Sequence, residues 1–135
     1  MPDLNDRPIV LLVDDEIELR DIVKESLSEH GFLVVAADSA AEARYKLHAS
    51  RTFPSTEIDI IISDIRMPNE TGLDLLHHLR EAKDSIPFLL ISGHFEIDNQ
   101  TAQKLGADGV FAKPFKTASI AAKIRSVLAD RKNRT

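Results

Sequence analysis

No cysteine occurs anywhere in the 135 residues. Disulfides, thiolate chemistry and sulfur-ligated metals are therefore excluded, and the oxygen ligands that remain suit hard cations. A basic excess is missing too. The formal net charge is -5 at pH 7, whereas a surface built for nucleic acid usually carries surplus Lys and Arg to displace phosphate counterions. No direct DNA binding is expected. No apolar run is long enough to cross a bilayer, and the opening MPDLNDRPIV has neither the basic stretch nor the apolar run of a signal peptide. The expectation is a cytoplasmic protein with no membrane partner. Internal repeats and low-complexity tracts are also lacking, and the length fits one compact domain.

What is present alternates between two periodicities. Ile9 to Val13 is a continuous apolar run rich in branched residues, as in a strand buried on both faces of a parallel sheet. From Ile17 to His30, Leu19, Ile22, Val23 and Leu27 recur at helical spacing, and Gly31 supplies a stop. Phe32 to Ala36 reads as a second strand and Ala40 to Ser50 as a second helix, with Asp38 or Ser39 to cap it. Ile58 to Ser63 forms a third strand ending in Asp64. After it, Arg66, Met67, Pro68, Asn69 and Gly72 make a turn before a helix carrying Leu73, Leu76 and Leu79. Pro87 to Ile91 is a fourth strand ending at Ser92 and Gly93, followed by a weaker helical segment over Ile97 to Leu105. Gly109 to Ala112 is a short fifth strand ending at Lys113 and Pro114. Ala118 to Arg131 is a last helix with Ile120, Ile124, Val127 and Leu128 on one face. Strands alternating with helices through short loops predict an α/β fold: a doubly wound sandwich with a five-stranded parallel sheet and helices on both faces.

In such a sheet the residues just after each strand gather at one edge, where doubly wound folds bind ligands. Asp14 and Asp15 follow the first strand, Asp64 the third, Ser92 the fourth and Lys113 the fifth. Taken singly, each carboxylate is more simply a cap or turn former, and Lys113 a solvated lysine. That explanation fails jointly, because it does not account for a carboxylate pair, a carboxylate, a hydroxyl and an amine ending four strands on one side. Closely packed carboxylates repel unless a cation compensates, which points to a hard divalent metal, Mg²⁺. With phosphoryl charge neutralised by the metal, a carboxylate oxygen can attack phosphorus, and Asp64 is best placed to do so. Lys113 and Ser92 would engage the phosphoryl oxygens.

Through VDDE at 13 to 16, SDIRMP at 63 to 68, SG at 92 to 93 and KPF at 113 to 115, the chain resembles the receiver domain of two-component response regulators, the CheY-like family. The resemblance covers about Ile9 to Leu128. It implies a flavodoxin-like (βα)5 fold with Asp64 as phospho-acceptor. Asp14, Asp15, Asp64 and the backbone carbonyl of Arg66 would be the Mg²⁺ ligands, with Mn²⁺ as an acceptable substitute. It also implies Ser92 as switch hydroxyl, Lys113 as phosphate sensor, and Arg66 and His94 as groups that tune dephosphorylation. An exposed loop histidine without a role is the equal alternative for His94. One departure stands out. The family usually places an aromatic residue three positions before the KPF lysine, where this chain has Val110, and Phe111 should face the other side of the strand. Switching is therefore expected without an aromatic flip.

These expectations assemble into a stand-alone or truncated response regulator receiver: a polar tail over 1–8, the receiver over 9–129 and a short basic tail over 130–135. The phosphoryl donor would be a sensor histidine kinase or histidine phosphotransfer protein. The switched surface, α4-β5-α5, would control an unidentified partner or form a phosphorylation-dependent homodimer. Arg131, Lys132 and Arg134 are read as cations favouring the last helix's dipole, with a linker or nucleic-acid contact as alternatives. No turnover enzyme is expected beyond self-phosphorylation and slow autodephosphorylation. A phosphohydrolase of the haloacid dehalogenase type needs a second acid two residues after the nucleophile, where this chain has Arg66, and a cap segment it lacks. The remaining alternative is a receiver fold that binds partners independently of phosphorylation.

Overall fold

The computed structural model describes residues 7–93 and 97–133. His94 and the outer parts of both tails lie outside them. The elements run β1 (Ile9–Val13), α1 (Ile17–Glu29), β2 (Leu33–Ala37), α2 (Ala40–Ser50), a 3-10 turn (Pro54–Thr56), β3 (Ile60–Asp64), α3 (Gly72–Glu81), β4 (Phe88–Ser92), α4 (Asn99–Lys104), β5 (Gly109–Ala112) and α5 (Thr117–Asn133). All strand pairs are parallel, in the order β2-β1-β3-β4-β5. The doubly wound α/β reading of the sequence is what the chain adopts.

Alternation along the central strands divides the core in two. Leu11, Val13, Ile61 and Leu90 point to the face covered by α2, α3 and α4, through Leu47, Leu75, Leu76 and Ala102. Val10, Leu12, Ile60, Ile62 and Leu89 point to the face covered by α1 and α5, through Val23, Leu27, Ile120 and Ile124. β1, β3 and β4 are buried along their whole length, which is why they read as unbroken apolar runs.

Three helices end in the same way. After α1, Gly31 has φ +95°, its N–H donates to Ser28 O, and the N–H of Phe32 donates to Leu27 O. After α4, Gly106 has φ +101°, with its N–H on Gln103 O and that of Ala107 on Ala102 O. After α3 the left-handed position is taken by Lys83, φ +60°, whose N–H donates to Arg80 O while that of Asp84 donates to Leu79 O. Each is a Schellman stop that satisfies carbonyls the helix leaves open. The same bonds correct the expected start of β2. Phe32 spends its N–H on α1, so the strand begins at Leu33, and the Phe32 ring is buried beneath α1 and α5.

Two further corrections concern α1 and α4. Ile22 was expected on the buried stripe of α1 but is 64% exposed. The stripe running through Leu19, Val23 and Leu27 is narrow, and Ile22 sits about 100° round the helix from Val23. α4 is shorter than expected, because Asp98 accepts the N–H of Thr101 and caps it. α2 is capped by Ser39, the second of the two candidates, and α3 by a Thr71/Asp74 capping box.

Polar side chains join elements where apolar packing does not reach. The guanidinium of Arg80 donates to Asp84 O at 2.7 Å, Ile86 O at 2.9 Å and, through two nitrogens, to Gly106 O at 3.0 and 2.7 Å. It ties the end of α3 to the loops that enter β4 and leave α4. At the sheet's two edges, Lys46 Nζ donates to Ala36 O of β2, and Asn99 Oδ1 accepts the N–H of Val110 in β5.

Candidate functional site

The carboxyl ends of β1, β3, β4 and β5 gather the residues the sequence singled out. Asp14 follows β1 directly, its N–H held by Ala37 O and its Oδ1 accepting the N–H of Glu16 at 2.9 Å. Asp64 is the last residue of β3, and its strand neighbour in β4 is Ile91. Asp14 and Asp64 are each only 3% exposed, and Asp15 reaches further toward solvent. One carboxylate oxygen from each of Asp14, Asp15 and Asp64 lies within 4.8 Å of the others.

Both oxygens of Asp64 are engaged. Oδ1 accepts the N–H of Arg66 at 3.2 Å and Oδ2 accepts from Lys113 Nζ at 2.8 Å. Lys113 is placed by β5 and by its own N–H on Ser92 O, ahead of a cis Lys113–Pro114 bond. Burial disfavours its charge, but the hydrogen bond and charge of Asp64, with Asp14 and Glu16 behind, hold its pKa above the ordinary lysine value. Asp14 moves up from its ordinary value because burial and the nearby Asp64 charge outweigh the Glu16 N–H and Lys113. The Lys113 ammonium thus meets a cluster of three crowded carboxylates, two of them buried. That donor set, all oxygen and short of positive charge, fits a hard divalent cation.

Ser92 ends β4 beside these groups and is 1% exposed. Arg66, two residues past Asp64, has an exposed side chain. Val110 packs with the α2–α4 side of the core and Phe111 with the α1–α5 side, so the two face opposite ways, as strand alternation requires.

One positioning residue escaped sequence reasoning. Gly72 looks like an ordinary turn glycine, yet a Cβ there would stand 2.2 Å from the carbonyl oxygen of Asp64 and 3.0 Å from Ser63 Oγ. Its N–H donates to Ile65 O at 2.9 Å. The first turn of α3 therefore rests on the backbone of Asp64, a contact only glycine permits. Nothing in local pattern distinguishes it from a flexible turn.

The family model for the response regulator receiver domain matches residues 10–125. The chain belongs to that family. The receiver is 35% identical over 126 residues to the regulatory protein VirG of Agrobacterium tumefaciens, covering 92% of this chain and 45% of that protein. It spans about half the length of the curated relatives it matches. Among solved structures, a receiver domain protein from Clostridium thermocellum superposes with a TM-score of 0.84 at 24% identity, covering 95% of this chain and 99% of that one. The response regulator TrrA from Thermotoga maritima, in complex with Mg²⁺ and BeF, gives 0.75 at 26% identity, covering 88% and 97%. The receiver is thus a signalling module of two-component phosphorelays rather than a turnover enzyme. Aspartate phosphorylation and Mg²⁺ are general features of its family. Among the described residues no helix is long and apolar enough to cross a membrane.

Proposed function

We propose that this receiver, residues 9–129 with short flanking tails, takes a phosphoryl group onto Asp64 from a histidine kinase or histidine phosphotransfer protein in the cytoplasm. The observation that carries the reading is the Asp64 carboxylate, buried against Asp14 and Asp15 and held at both oxygens by Arg66 N–H and Lys113 Nζ. Mg²⁺, or Mn²⁺ in its place, held by Asp14, Asp15, Asp64 and the carbonyl of Arg66, would supply charge neutralisation at the phosphoryl oxygens. An Asp64 oxygen attacks phosphorus, the phosphorus–nitrogen bond of the donor breaks, and the donor imidazole leaves. Lys113 then exchanges its bond to Asp64 for one to a phosphoryl oxygen, and the Ser92 hydroxyl donates to another. Arg66 and His94 are assigned the tuning of hydrolysis.

Phosphorylation shifts a two-state equilibrium only by binding one arrangement of Ser92 and Lys113 better than the other. With Val110 in place of an aromatic, the movement passes through the loop after β4 and α4, changing the α4-β5-α5 surface that a partner or a second copy reads. An unchanged Ser92 loop in crystals grown with and without a phosphoryl analogue would sink that route.

Mass spectrometry after incubation with Mg²⁺ and acetyl phosphate tests the acceptor. The wild type gains one phosphoryl group and Asp64→Asn gains none. The second reading, a module that binds partners without phosphorylation, is favoured by Val110, and no gain in folded wild type would select it.

A further inference from the structure

The loop from Ile65 to Thr71 carries Arg66, whose carbonyl would join the proposed metal site, and little apolar packing fixes its far half. Ile65 and Met67 are buried, whereas Pro68 and Asn69 are exposed. Asn69 turns the chain through φ +68°, and the N–H of Glu70 closes back on Pro68 O at 2.9 Å. The Glu70 side chain then leaves the loop for another element. Its two oxygens face the guanidinium of Arg44 in a bidentate pair, with Arg44 Nη2 at 2.7 Å from Oε1 and Nη1 on Oε2. Arg44 lies midway along α2, a helix capped by Ser39 and packed on β1 and β2.

Two parallel charge-assisted hydrogen bonds fix direction as well as distance. The pair is only partly exposed, at 38% for Arg44 and 29% for Glu70. It holds Glu70 below its ordinary carboxylate value, chiefly through the Arg44 hydrogen bond. Asp74 and His78, the latter 3.8 Å away, also face Glu70, but neither offers a bidentate contact. α2 has no residue in the carboxylate cluster, and the pair joins it to the loop that follows Asp64 directly.

We infer that Arg44 and Glu70 are positioning residues for the metal centre: their ion pair holds the β3–α3 loop that carries the Arg66 carbonyl, and so sets Mg²⁺ affinity. This rests on the metal-site reading above. Groups standing behind metal ligands alter affinity by about ten- to a hundredfold when removed, and a pair acting through the loop backbone belongs at the lower end.

Mg²⁺ titration without phosphodonor, followed by the backbone amide shifts of residues 14 to 16 and 64 to 66, tests it. Wild type, Arg44→Met, Glu70→Gln and the exchange Arg44→Glu with Glu70→Arg are compared well below their melting temperatures in chelator. Each single variant should bind Mg²⁺ about tenfold more weakly, and the exchange should recover to within about threefold of wild type. Single variants that bind as wild type does would overturn the clamp alone. So would an exchange no better than the singles. A wild type silent to Mg²⁺ would instead remove the metal-site reading, and the clamp with it.

Discussion

Gly72 and Lys83 show how much one backbone position can carry. At Gly72 the obstruction to a side chain is backbone, the Asp64 carbonyl, which cannot swing aside. Gly72→Ala should therefore cost about 2 kcal/mol in urea unfolding despite alanine's better helix propensity. It should also slow phosphorylation by acetyl phosphate, because relief requires Asp64 to move. Lys83 is the converse case, a residue with a Cβ held at φ +60° where the other two Schellman stops use glycine. Lys83→Gly should stabilise the fold by about 1 kcal/mol, read as a higher urea midpoint at constant slope.

Elements were legible in the sequence wherever burial imposed a period. β1 and β5 and the helix α2 have the expected bounds, and α1, β2, β3, β4, α4 and α5 differ by one or two residues at their ends, because ends are set by hydrogen bonds that no period encodes. Phe32 is the clear case, since its apolar character fits a strand but its N–H belongs to α1. The convergence of Asp14, Asp15 and Asp64 was legible because parallel strands force their ends to one edge. The Arg44–Glu70 pair and the Gly72 contact were not, since both depend on how α2 and α3 lie against the sheet. Arg80 belongs with them. Burial lowers its pKa from the ordinary guanidinium value, and its donors serve three carbonyls in two loops. Arg80→Met should cost about 3 kcal/mol by leaving those carbonyls short of partners. Amide exchange should quicken around residues 104 to 108 before it does in the central strands.

For the whole molecule, the response to acid follows from carboxylates held below their ordinary values. In Asp84 burial pushes upward, but the Arg51 hydrogen bonds, the Ile86 N–H and the charges of Arg51 and Arg80 outweigh it, and Glu70 is lowered by Arg44. Groups depressed in the folded state contribute stability that is complete above their unfolded values of 3.8 and 4.5 and is lost as pH falls through the folded ones. Melting temperature in chelator should drop below about pH 4, and less steeply in Asp84→Asn. Lys46 and Asn99 act on the molecule in a different way, by occupying backbone groups on β2 and β5 that no neighbouring strand takes up among the described residues. Open sheet edges template intermolecular pairing, and each of these two bonds withdraws one backbone group of an edge strand from that use.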